Sequence, residues 1–280
     1  VQDHVKKDLL FLATEFGIYT SINGGADWHQ LKGGLPTISF RDLAIQKREN
    51  DLVGASFGRG FYILDDYSPL REVSQESMNK EAHLFPIKDA WWYIPRPVLS
   101  FDERGSQGAN HFVAPNPDFG AIITYHLARD YRSSIEERKE AEKKLKDQDI
   151  PFPGWKALEQ EKLEQKPTVF LLIKDLDENV IRRIEASAKK GIHRIAWDLR
   201  YPFTDAVRST KLPKDKNNTP QGLMASPGEY TATLVKMIDG EVTVLSEPQK
   251  LLVKRLKKGS LEGSTLDATA AFWREVEEIN

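Results

Sequence analysis

The 280-residue chain contains no cysteine. That absence excludes disulfides, thiolate nucleophiles and cysteine-bound zinc together, and leaves the compartment open. No apolar stretch approaches the roughly 20 residues that a membrane-spanning helix requires, so no membrane span is expected. An excess of one charge is missing too: 40 Lys and Arg stand against 42 Asp and Glu, a formal net charge of −2. Such a balance gives no pull toward nucleic acid or an anionic membrane. The six histidines, at positions 4, 29, 83, 111, 126 and 193, show no close ligand spacing, and no serine sits in a nucleophile elbow. The sequence therefore assigns no catalytic residue, no metal ligand and no cofactor, although two carboxylates across a cleft could still meet in space. What remains, 40% apolar and 29% charged residues, is ordinary globular material for about two domains with a sizeable core.

A repeat organises the first part. Asp8-Leu9-Leu10 returns 43 positions on as Asp51-Leu52-Val53, and the same ungapped shift sets Gly17-Ile18-Tyr19 on Gly60-Phe61-Tyr62. A period in the forties, made of short apolar runs and turn residues, is that of β-propeller blades. The first copy reads as strands Leu9–Thr14 and Ile18–Ser21, the turn Asn23-Gly24-Gly25, and a third strand carrying Trp28. The second runs from Phe40 through Leu52–Phe57 and Phe61–Leu64, and ends in Asp65-Asp66-Tyr67-Ser68-Pro69-Leu70 where the first has its turn. It reads as a degenerate final blade. Because a propeller needs at least about four blades, the expectation is a fragment whose further blades, its first partners, lie upstream.

The expected fold class is mainly β: the last two blades over residues 1–72, a proline-rich connector over 73–117, and an antiparallel Ig-like β-sandwich over 118–256. Seven short β-type runs, beginning at Ala121, Thr168, Val180, Ile192, Glu229, Val242 and Lys250, carry the sandwich reading. A charged insert over 129–166 predicts a solvated helical hairpin, and the tail over 257–280 predicts a C-terminal amphipathic helix. Asp175 to Asn179 and Asp239-Gly240 are placed as hairpin turns.

Three motifs carry candidate chemistry. Ser21-x-Asn23-x-Gly25-x-Asp27-Trp28 is similar to the Asp-box, Ser-x-Asp-x-Gly-x-Thr-Trp, in which the first polar side chain caps amides across a turn and the tryptophan packs beneath it. This is a structural device. Arg59, between Gly58 and Gly60, is either an anion clamp, through its planar donor fork, or a salt-bridge partner of Asp65, Asp66 or a neighbouring blade. In Trp91-Trp92-Tyr93, strand alternation would place Trp91 and Tyr93 on one side and Trp92 on the other. Trp91 and Trp92 are thus candidates either for stacking on sugar rings or for internal packing.

Glu15 to Ser21, the Asp-box, Ser56 to Asp66 and Ser68-Pro69-Leu70-Arg71 together resemble large exported bacterial proteins with sortilin-like propellers, often labelled glycosyl hydrolases for their Asp-boxes. Ala121 to Tyr125, Ile195 to Arg200 and Ser226 to Tyr230 continue that resemblance, and are similar also to Ig-like domains of flagellar hook-capping and type IX sorting proteins. The resemblance implies an exported chain, periplasmic, cell-surface or secreted. It implies a noncatalytic C-terminal region with a scaffold role, binding a polysaccharide, peptide or protein. The alternative is part of a sialidase-like glycoside hydrolase whose catalytic residues lie mostly upstream, with Arg59 and carboxylates such as Asp65 contributing. A third reading makes the sandwich a secretion signal. Blades without neighbours also predict self-association.

Overall fold

The computed structural model describes residues 1–95, 114–145, 149–204, 221–259 and 263–279. His111, and residues 96–113 of the proline-rich connector, lie outside the described residues. The chain is mainly β and divides into two compact units, Val1–Lys80 and Glu81–Asn280.

In the first unit β1 (Leu10–Thr14), β2 (Gly17–Ser21) and β3 (His29–Gln30) form one antiparallel sheet, and β4 (Phe40–Gln46), β5 (Asp51–Ser56) and β6 (Phe61–Leu64) form another. Strand alternation turns Phe11 and Ile18 of the first sheet, with Leu9, toward Phe40, Leu43 and Leu52 of the second, and these close a common core with Tyr67. The two sheets interlock by volume. Gly54 of β5 stands 43 residues after Phe11, and a Cβ on it would lie 2.9 Å from Ile18 Cδ1 and 3.0 Å from Phe40 Cδ1. One copy thus supplies a phenyl ring to the core and the other supplies the space for one.

The ungapped alignment of the copies needs a correction of one residue in its second strand. Phe11 pairs with Thr20, but Gly54 pairs with Tyr62 and not with Ile63, which the shift requires. The cause is the hairpin. Thr14 pairs with Gly17 across a two-residue loop in the first copy, whereas the Ser56 amide donates to Gly60 O at 3.0 Å across a three-residue one. Gly58 and Gly60 make it possible with φ of 80° and 77°, the left-handed region where a Cβ is costly. After β6 the chain enters a 3-10 turn, Ser68–Arg71, and the short helix α1 (Gln75–Asn79), started by a reciprocal capping box between Ser74 and Ser77.

In the second unit β7 (Ala82–Leu84), β9 (Ala121–Leu127) and β12 (Gly191–Trp197) form a small sheet in the order β12-β9-β7. The large sheet runs β11 (Val180–Ala186), β10 (Thr168–Lys174), β13 (Gly228–Ile238), β15 (Gln249–Arg255), β8 (Ala90–Trp92), with β14 (Glu241–Val244) on the second half of β13. All pairings are antiparallel except β8 with β15. Ile123, Tyr125, Leu127 and Trp197 from the small sheet share one buried cluster with Leu171, Ile173, Leu234, Leu251 and Val253 from the large one. The stretch read as connector supplies β7 and β8, one to each sheet. Both are edge strands, where prolines nearby remove no ladder bond from a central strand.

Asp239 and Gly240, with φ of 49° and 83°, make the β13–β14 turn, as their sequence predicts. Asp175 Oδ1 accepts from the Asp177 and Asn179 amides and closes the β10–β11 turn. The insert forms α2 (Ser134–Leu145) and α3 (Trp155–Leu163), neither of which buries a side chain. Arg138 ties them with a fork onto Glu161, 2.7 and 2.8 Å, and Glu164 caps the α2 N-terminus through the Ser134 amide. The amphipathic tail forms α4 (Leu266–Ile279). Among the described residues no helix is long and apolar enough to cross a membrane.

Candidate functional site

The turn between β2 and β3 is built as an Asp-box is. Ser21, wholly buried, accepts the Gly25 amide at 2.9 Å and donates to Asn23 Oδ1 at 2.9 Å. Asn23 Oδ1 also accepts the Asp27 amide, and Asn23 Nδ2 donates to Asp27 Oδ2, each at 2.9 Å. Gly24 and Gly25 take φ of 70° and 98°. Trp28 packs under Gly25, whose added Cβ would meet the indole at 3.7 Å, yet remains 39% exposed. Every polar atom named here is spent on the turn itself.

A second cluster in the same unit has no signature in the sequence. Asp3 is buried and receives a fork from Arg71, Nε to Oδ2 and Nη2 to Oδ1, both at 2.8 Å. The Tyr67 hydroxyl donates to Oδ1 at 2.6 Å and the Lys6 amide to Oδ2 at 2.7 Å. Burial alone would raise the Asp3 pKa. The donors from Arg71, Lys6 and Tyr67 outweigh it and hold the carboxyl well below the usual range. The same burial and the neighbouring carboxylate push the Tyr67 hydroxyl far up. An acid, an arginine and a tyrosine meet here, but the acid is closed off from any substrate and locked as an anion. The one hint in the sequence is the run Ser68-Pro69-Leu70-Arg71, which is positional and says nothing of Asp3.

The second unit has its own locked carboxylate. Glu81 Oε1 accepts from Lys236 Nζ and Arg129 Nη2 at 2.8 Å and from the Tyr131 hydroxyl at 2.9 Å, and these donors lower its pKa to about 2. Burial and then Glu81 raise the Tyr131 hydroxyl to about 12. On the far face of the small sheet His83 and His126 are cross-strand neighbours, and burial followed by His83 lowers the His126 pKa. Glu81 and Tyr131 are thereby poorly suited to exchanging protons near neutral pH. Among the described residues no group of three or more His, Cys, Asp or Glu could hold a metal ion.

The residues with free reach are aromatic. In β8 the Trp92 indole turns inward and donates to Ala225 O at 2.8 Å, while Trp91 and Tyr93 are both 41% exposed. Tyr93 is held edge-on by Phe119 at 5.0 Å between centroids, and Trp91 pairs in register with Lys254 of β15, whose ammonium meets Asp89. Only Trp91 of the two tryptophans is thus placed to meet a ligand. Arg59 is exposed at the tip of the β5–β6 hairpin, and Asp66 Oδ1 is occupied by the Ser68 hydroxyl at 2.6 Å. A concavity of about 780 Å³ lies where α2 faces the ends of β10 and β11. Its walls mix Glu136, Glu140 and Glu185 with Lys139, Lys166 and Lys189, and Lys166 already pairs with Glu136 at 3.2 Å, so it favours no ion of either sign.

No family model and no curated protein matches the chain. Among solved structures it is similar to the extracellular domain of a protein assigned as a one-component system of B. thetaiotaomicron, at 13% identity and a TM-score of 0.20, covering 89% of this chain and 24% of that one. It is similar also to the extracellular domain of a hybrid two-component system from the same organism, at 10% identity and a TM-score of 0.17, covering 88% of this chain and 30% of that one. The chain spans less than a third of the length of either.

Proposed function

We propose that the chain is the closing part of an exported Asp-box propeller followed by an Ig-like β-sandwich, and that it acts as a noncatalytic scaffold that binds polysaccharide. Two meanders of three strands about one core, repeating at 43 residues with an Asp-box turn, support the propeller reading. For the sandwich, support comes from two sheets about a shared cluster and from Trp197, wholly buried and set edge-on to Tyr230 at 5.1 Å. The Tyr230 hydroxyl bonds back to Ser226 O at 2.6 Å, as a tyrosine corner does.

The observation that carries the binding role is the exposed Trp91–Tyr93 pair. Trp91 stands in β8 and Tyr93 directly follows its end; extended backbone would space two such rings by roughly 7 Å, within the reach of adjoining sugar units, with Trp91 offering its π-face to the C–H bonds of a pyranose. Native affinity electrophoresis through gels containing soluble polysaccharides tests it. Retardation by at least one glycan is expected, lost in Trp91→Ala and kept in Arg59→Ala. No retardation by any glycan would refute the role. Hydrolysis of a glycan that one point substitution abolishes would favour the sialidase-like alternative.

A further inference from the structure

In the first sheet the outer edge of β2 is covered by β3, through the pairs Tyr19–Gln30 and Thr20–His29 and the Leu31 amide to Ile18 O at 2.9 Å. The corresponding edge of β6 has no strand on it among the described residues, because the chain turns away into Ser68–Arg71. Phe61 and Ile63 project from one face of β6, 75% and 59% exposed. On the other face Tyr62 and Leu64 border a cleft of about 320 Å³ that Leu31 and Leu35 complete. The two ends of the strand are opposite in charge, with Arg59 before it and Asp65 and Asp66 after it.

We propose that β6 pairs edge to edge with β6 of a second copy of this chain, antiparallel, about a two-fold axis through Tyr62. An axis normal to the sheet keeps each side chain on its own face, so odd positions can meet only odd ones and even only even. Centred on Tyr62, the register sets Phe61 opposite Ile63 of the second copy twice over. Beyond the paired residues it also brings the hairpin tip that carries Arg59 toward Asp65 at the other end, again twice. Centring on Ile63 would oppose Phe61 to Asp65, and centring on Phe61 would oppose Arg59 to Ile63; both break the match. The strand is complementary in charge to its own reverse, and that selects a second copy as occupant and fixes the register. The inward Tyr62 rings of the two copies then meet beside the Leu31–Leu35 cleft. The pairing is independent of what Trp91 binds.

Sedimentation velocity over a concentration series on the 280-residue chain should show a reversible monomer–dimer equilibrium. Arg59→Asp and Asp65→Arg should each weaken it roughly tenfold, because each sets two like-charge pairs across the ladder. Combining the two reversals should restore it. Both side chains are exposed, so unchanged melting curves will separate lost pairing from lost fold. Since the chain has no cysteine, the register can also be read by oxidation: opposed strand positions lie within disulfide reach. The double variant Phe61→Cys, Ile63→Cys should cross-link and Ile63→Cys alone should not. A monomer at all concentrations, a dimer indifferent to both charge reversals, or cross-linking through Ile63→Cys alone would overturn the proposal. So would a monomer whose β6 amides exchange slowly, since a strand of the same chain would then cover that edge.

Discussion

Asp3, Tyr67 and Arg71 show how much one side chain can decide. The carboxylate is buried and satisfied from three directions, so its partners cannot be removed singly without leaving a charge in the core. Arg71→Met should lower stability by about 3–5 kcal/mol at neutral pH, the cost of breaking one side of a buried pair, measured by urea unfolding. The sign with pH follows from linkage. The folded pKa of Asp3 lies below its ordinary value of 3.8, so its contribution is complete above that value and is lost as pH falls toward the folded pKa. In Arg71→Met the unpaired carboxyl gains nothing from ionising, and the gap between variant and wild type should narrow below pH 3.8. A gap constant from pH 7 to pH 3 would show that Arg71 acts by packing over the Tyr67 ring, 5.4 Å away, and not by charge.

At the scale of elements, local chemistry was legible and distant pairing was not. Thr168–Lys174 and Ala121–Leu127 are strands with the bounds their residues suggest, because alternating or continuous β-branched runs between turn residues leave few alternatives. Trp92 turns away from Trp91 for the same reason. The side-chain bonds of the Ser21–Asp27 turn were readable because they fall within seven residues; the Gly24 amide bond to Asp8 O was not. The tie between Asp3 and Arg71 joins positions 68 apart, and no local pattern announces it. Likewise the one-residue register change in the second meander depends on which hairpin Ser56 and Gly60 close, and β7 and β8 were hidden by prolines that edge strands tolerate. Ser21→Ala removes the acceptor of the half-buried Gly25 amide and should cost about 1 kcal/mol, with hydrogen exchange at Gly25 accelerating before that of β1. Unchanged protection there would mean that the two glycines alone hold the turn.

For the molecule as a whole, near-neutral charge and scattered apolar exposure act together. With a net charge of −2 and an isoelectric point near 6.4, little repulsion keeps copies apart while Phe57, Phe61, Ile63, Trp155 and Trp273 face solvent. Static light scattering should therefore record the most negative second virial coefficient near pH 6.4. A minimum displaced by two pH units or more would show that local charge pattern, not the total, governs association. The parallel contact of β8 with β15 bears on how the second unit withstands tension. A pull entering at Asp89 and leaving at Leu256 runs along both strands in opposite senses, so the ladder between them, the Leu256 amide bond to Trp92 O and the Lys254–Asp89 pair all take the load at once. Bonds stretched together must break together, and a polypeptide anchored at those two points rips open far more slowly than one unzipped bond by bond.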